Sequence, residues 1–354
     1  MTQTQSRNDR IASLRILAEY YWIYLANLAA SVERHLGEAG QDTLDEGLRN
    51  FGFAEGQIMR DSALASAWGR NASTFLASWR SCDLLLSSPD NRYDISGSAA
   101  AATLALTEVP GASFGADPAL LQRYWPIVLE GMASGFDEGL SIGCDVIGDG
   151  NEEWRLEISC DGKPDTGEVK PLHPDPGDAV TAVRLSRETL AAFSTLTMQT
   201  GQTLMNRFGA KAEAALREGL YNFGTARAKG MREDVLALGE ELNFETWFEA
   251  MQRRDPNASA FVFRGDSRVS PGVFQVRCTY CPMAEAWATE GALGLSFGQI
   301  YDLEVHRGLV EGFHPEGIVA WDKLKTRGDK VCDFRFSIPS LVTPDDPDWA
   351  QPPD

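Results

Sequence analysis

Residues 44–56, LDEGLRNFGFAEG, return as residues 216–228, LREGLYNFGTARA, so Glu46, Gly47 and Leu48 match Glu218, Gly219 and Leu220, and Asn50, Phe51 and Gly52 match Asn222, Phe223 and Gly224. A second pair follows. Residues 129–158 parallel 306–338, with Gly139 against Gly317 and Gly150 against Gly328. A chain that repeats itself at this period is constrained to build one kind of unit twice. Between the copies, DGKPDTGEVKPLHPDPGD (161–178) is rich in Pro, Gly and Asp and continues neither a helix nor a central strand. The expected organisation is an N-terminal degenerate repeat over 1–161, a linker over 162–180, a C-terminal repeat over 181–340 and a flexible acidic tail over 341–354.

Each copy reads alike. Apolar residues at helical spacing come first, as in Leu204, Phe208, Ala212, Leu216, Leu220 and Phe223. Strand candidates follow at 259–265 and 272–278, the second alternating Val273, Gln275 and Arg277 against Phe274, Val276 and Cys278. A short helix after Cys281 and another around 299–312 lead to a closing hairpin whose turn is Thr326-Arg327-Gly328-Asp329. Helices segregated from an antiparallel sheet make the expected class α+β, two tandem repeats each of helices on a small sheet.

The net charge of −19, from 32 Lys+Arg against 51 Asp+Glu, supplies no basic footprint, so nucleic acid is not an expected partner. The most apolar run, 11–36, is interrupted by Arg15, Glu19 and Asn27 and reads as a core helix, so no membrane association is expected. Six cysteines in 354 residues are too sparse for a disulfide scaffold, and a reducing cytoplasm fits them. The expected state is a monomer or homodimer acting on a small molecule.

The copies differ at Cys281-Pro282, where the first has Val109-Pro110, and at Cys332, where it has Trp154. Any thiol chemistry is therefore confined to the second copy. Pro282 at a first helical position makes Cys281 the N-cap, where unpaired backbone N–H groups and the helix dipole favour a thiolate. That defines a candidate nucleophile. The alternative is a buried cysteine acting as a small hydrophobe. Cys332 alternates with Phe334 and Phe336, which equally suits a core-facing residue.

The segments RCTYCPMAEAW, LVEGFHPEG and LKTRGDKVCDFRF resemble, in this order and spacing, the C-terminal signature of the L-2-amino-thiazoline-4-carboxylic acid hydrolase family. The resemblance covers roughly 200–340 and, more faintly, 30–160. It implies hydrolytic opening of a small heterocycle, in the named activity a cyclic isothiourea opened to N-carbamoyl-L-cysteine; no cofactor is expected. Asp302 stands near the place where such proteins are expected to carry a further cysteine, and His314 replaces the Asn of the turn.

Around Cys281, the candidate proton carriers are His306, His314, Glu285 and Asp302, with Cys332 as a further catalytic candidate. A carboxylated substrate calls for a cation, for which Arg277 and Arg307 are candidates, and Trp287 is a candidate for stacking on the substrate or filling the core. Cys278, Cys281, Cys332 and His306 or His314 are numerous enough for zinc, though no second CxxC supports it. Two other readings stay open, a non-catalytic small-molecule sensor and a structural zinc module. No P-loop, dinucleotide fingerprint, HExxH or GxSxG occurs.

Overall fold

The computed structural model describes residues 7–82, 93–106, 111–112, 116–147, 153–160, 178–254, 261–263 and 268–346. The expected linker falls almost wholly outside these, as do Val109-Pro110 and the end of the tail. Helix α1 (Arg7–Ala65) is broken at Gly37, whose φ of 62° and ψ of −154° only glycine adopts without strain. Helices α4 (Ala179–Phe208) and α5 (Ala210–Ala237) meet at Gly209 in nearly the same conformation, φ 57° and ψ −129°. The chain forms two compact units, one of residues 1–22 and 41–204, the other of 23–40 and 205–354. Among the described residues no helix is long and apolar enough to cross a membrane.

The N-terminal unit continues with α2 (Ala72–Cys82), β1 (Tyr93–Gly97), β2 (Ala101–Leu106), α3 (Pro118–Phe136), β3 (Leu140–Ile147) and β4 (Glu153–Cys160). The strands lie antiparallel in the order β1-β2-β4-β3, with Leu106 opposite Trp154. Its core is aromatic. Trp79, Trp125 and Trp154 are fully buried, and the rings of Trp125 and Trp154 lie 5.0 Å apart.

The C-terminal unit carries α6 (Phe244–Arg254), β5 (Val262–Phe263), β6 (Arg268–Ser270), β7 (Val273–Tyr280), α7 (Pro282–Thr289), α8 (Gly291–Phe313), β8 (Ile318–Lys323) and β9 (Cys332–Ser337). Its sheet runs β5-β7-β9-β8, antiparallel, with β6 also on β7. The α+β class holds. The turn before β9 is a single 3-10 turn, Lys325–Arg327, ended by Gly328 at φ 93°.

Helix α8 is set by backbone contact with α5. A Cβ on Gly224 would lie 2.2 Å from the Val305 carbonyl oxygen, and one on Gly308 would lie 2.1 Å from that of Tyr221. Thr225 Oγ1 donates to the Gly308 carbonyl at 3.2 Å across the same seam. In the N-terminal unit Gly52 comes as close to the Val128 carbonyl, and Gly131 to that of Arg49. The other side of α8 faces a dry cluster in which Trp247 stacks on Phe313 and packs against Phe274 and Phe336. This fixes α8 between helix and sheet.

Candidate active site

Strand β7 delivers the cysteines. Its alternation places Phe274, Val276 and Cys278 toward the dry cluster and Gln275 and Arg277 on the opposite face. Cys278 lies opposite Cys332 in register, and Arg277 lies opposite Asp333. The Cys278 thiol donates to the Tyr280 carbonyl at 3.0 Å, and Cys332 Sγ accepts the Lys325 backbone N–H at 3.3 Å. Burial pushes the first thiol up to about 11 and, with the nearby Asp302 charge, the second to about 12. Both sulfurs are neutral.

The chain leaves β7 at Cys281 in extended conformation, φ −127° and ψ 112°, and enters α7 at Pro282. Cys281 is the N-cap, as the Cys-Pro order predicts, and its Sγ accepts the Ala284 N–H at 3.4 Å. The expected resting thiolate is overturned. Burial, then the Asp302 carboxylate, hold this thiol well above the usual cysteine range, and the one N–H it caps does not offset them. Desolvation exceeds the dipole here because the helix contributes a single long bond to a thiol that is largely shielded from water.

Asp302, buried on α8, accepts a hydrogen bond from Thr326 Oγ1 at 2.9 Å. Burial pushes its carboxyl up to about 7, with the Thr326 bond and the Arg327 charge opposing. It therefore takes and returns a proton near neutrality. His306, one turn further along α8, lies with its ring 4.5 Å from that of Phe334. Its Nδ1 is 2.7 Å from the Asp302 carbonyl; a carbonyl only accepts, so Nδ1 carries the proton and donates. Burial pulls His306 down to about 4, so it stays neutral and does not shuttle protons at Nδ1.

The remaining candidates divide. His314 caps the far end of α8, twelve residues beyond Asp302 in sequence, or about 18 Å along the axis. Its Nδ1 accepts the Glu316 N–H at 3.1 Å, so it belongs to that turn and not to the cysteine cluster. Glu285 sits half-exposed on α7 and pairs with Lys325 Nζ at 2.7 Å. Arg277 is held by the buried Asp333 through Nε at 3.0 Å and Nη2 at 2.5 Å, on the face of β7 away from Cys278. Arg307 pairs with Glu304 at 2.7 Å and covers the Tyr221 ring at 4.9 Å. Both guanidinium groups expected to meet a substrate carboxylate are thus ion-paired within the protein. Trp287 is fully buried against Tyr301 and Phe297 and is core.

The structure thus brings together Cys278, Cys281, Cys332 and Asp302, with Glu285 and His306 at the margin. It adds two residues that the reading of the sequence missed. Thr326 holds Asp302, and Lys325 reaches α7 from the same turn. Their signal was present in LKTRGDKVC, where a polar, charged run sits directly between two strands, one of them opening on Cys332. Among the described residues no three His, Cys, Asp or Glu side chains are grouped as metal ligands.

No curated protein and no solved structure matches the chain. The family model described as L-2-amino-thiazoline-4-carboxylic acid hydrolase matches residues 191–336, the stretch that contains α8, the C-terminal sheet but for the last residue of β9 and the whole cysteine–aspartate cluster. Over that segment the chain is similar to the L-2-amino-thiazoline-4-carboxylic acid hydrolase family.

Proposed function

We propose that the protein hydrolyses a small cyclic amidine of the thiazoline type at the C-terminal cluster, with Cys281 as nucleophile and Asp302 as its proton acceptor. The observation that carries this reading is the pairing of a neutral N-cap thiol with a neighbouring carboxyl held near neutrality. The thiol is activated during attack and not beforehand. The Asp302 carboxylate takes the Sγ proton as sulfur bonds to the amidine carbon, and the amide groups at the start of α7 face the developing charge. The same proton then passes to the departing ring sulfur as its bond to that carbon breaks. Water adds to the resulting S-linked isothiourea, Asp302 takes a proton from it, and the Cys281 thiol is regenerated as a urea departs.

The chemistry belongs to one unit because the other has filled the same place. The N-terminal sheet has the same strand order, and Leu106 opposite Trp154 stands where Cys278 opposes Cys332. On this reading the chain is a tandem duplication whose first copy is a chemically silent partner. Mass spectrometry of protein quenched during turnover of L-2-amino-thiazoline-4-carboxylate tests the mechanism. An adduct on Cys281, lost together with turnover in Cys281→Ala, is the expected result. Wild-type turnover by Cys281→Ala would give the chemistry to direct water attack, and tight binding without turnover would make the protein a binding module.

A further inference from the structure

Lys325 reaches the N-terminal edge of α7 from the turn before β9. Its Nζ lies 2.7 Å from Glu285 Oε1 and 3.4 Å from the Thr279 carbonyl, so the ammonium is held between a residue two before Cys281 and one four after it. The backbone N–H of the same lysine meets Cys332. The ion pair is asymmetric in exposure, 18% for the lysine side chain and 48% for the glutamate. The cation belongs to the site, and its carboxylate partner is the half that faces water.

A partly exposed pair of this kind is worth about 0–1 kcal/mol, so exchanging one carboxylate for another costs little. An ammonium on a flexible stem also accepts a carboxylate from many directions, which a guanidinium fork does not. The cations favoured by sequence position are engaged elsewhere, Arg277 by Asp333 and Arg307 by Glu304. By the Gly150–Gly328 correspondence, Ile147 stands in the N-terminal copy where Lys325 stands in the other, so the charge accompanies the thiols.

We infer that Lys325 anchors the substrate's carboxylate beside Cys281, and that Glu285 holds this ammonium in place until the substrate carboxylate replaces it. The inference rests on the reading of this cluster as the site for a thiazoline carboxylate, and it changes the role of Glu285 from proton carrier to competitor. Glu285 tunes affinity, while Lys325 sets the preference for an acid over a neutral analogue.

The test compares L-2-amino-thiazoline-4-carboxylate with its carboxamide on the full-length wild type, Lys325→Met, Lys325→Arg and Glu285→Gln, measuring KM and kcat and, by calorimetry, Kd. Lys325→Met is expected to weaken the acid about tenfold or more, the size of a lost charge-assisted bond, while leaving the carboxamide unchanged. Lys325→Arg is expected to recover part of that loss, and Glu285→Gln to tighten the acid severalfold. Equal weakening of acid and carboxamide, or no change for the acid, overturns the anchor. If wild type turns over neither compound, the hydrolase reading fails, yet the calorimetry still decides: Lys325-dependent acid binding sustains the anchor, and an acid that wild type does not bind defeats it. Should Lys325→Met fail to fold, the opposite shift expected of Glu285→Gln carries the same decision.

Discussion

Thr326 Oγ1 donates a 2.9 Å hydrogen bond to Asp302 Oδ2, joining the turn before β9 to the middle of α8. The bond stabilises the ionised carboxylate against a burial that favours the neutral acid. Removing it in Thr326→Val leaves burial less opposed, so the carboxyl titrates higher. The ascending limb of kcat/KM, expected near the Asp302 value of about 7, therefore moves to higher pH in the variant. Asp302→Asn is expected to lower kcat by roughly two to four orders of magnitude, the usual worth of a general base. A pH–rate profile unchanged in Thr326→Val would separate Asp302 from the rate.

Asp302 and His306 also pull stability in opposite directions. The aspartate rises from 3.8 to about 7 on folding, so the folded chain binds that proton more tightly and stability falls as pH climbs through this window. The histidine drops from 6.5 to about 4, so the folded chain resists that proton and stability falls as pH descends through its own window. Where the windows overlap, each slope is about 1.4 kcal/mol per pH unit, and the two largely cancel. Urea unfolding across the range should show Asp302→Asn losing stability toward acid pH more steeply than wild type, and His306→Gln losing it toward neutrality. Parallel curves for all three proteins would show that neither group titrates as described.

The thiol makes a separate prediction. Burial and the Asp302 charge keep Cys281 protonated, so alkylation by iodoacetamide should be slow near neutrality and still accelerating above the ordinary cysteine range. Asp302→Asn removes a like charge and should quicken labelling at a given pH. A labelling midpoint below the ordinary thiol value of about 8.5 would restore the resting thiolate.

Local rules made much of this legible. The Cys-Pro order predicts the N-cap, the alternation along 272–278 predicts β7, and the turn chemistry at Gly328 predicts the β8–β9 hairpin, all of which form. The same alternation already places the Arg277 guanidinium on the face away from Cys278. The partner that holds it, Asp333, is on another strand and comes into view only with the register. The sign of the Cys281 shift was out of reach for a related reason. A cap bond is local, whereas the burial and the Asp302 charge that outweigh it arise only once the chain is folded. Lys325 and Thr326 escaped notice because they act across the fold and not along it.

The α5–α8 seam yields the last prediction. Gly224 and Gly308 bring the two backbones together, and a methyl group at either would meet a carbonyl oxygen at 2.2 Å or 2.1 Å, atoms that a rotamer change cannot move aside. Gly308→Ala must therefore push α8 away from α5, at a cost of about 1–3 kcal/mol as for other overpacked sites. Asp302 and His306 ride on the displaced helix, so the Thr326 bond lengthens and kcat falls with stability. Gly239→Ala is the control, since nothing lies within 4 Å of a Cβ there and its left-handed φ of 71° adds only local strain. It should lower the unfolding midpoint without moving kcat, and an equal fall in kcat in both variants would show that activity tracks stability and not the placement of α8.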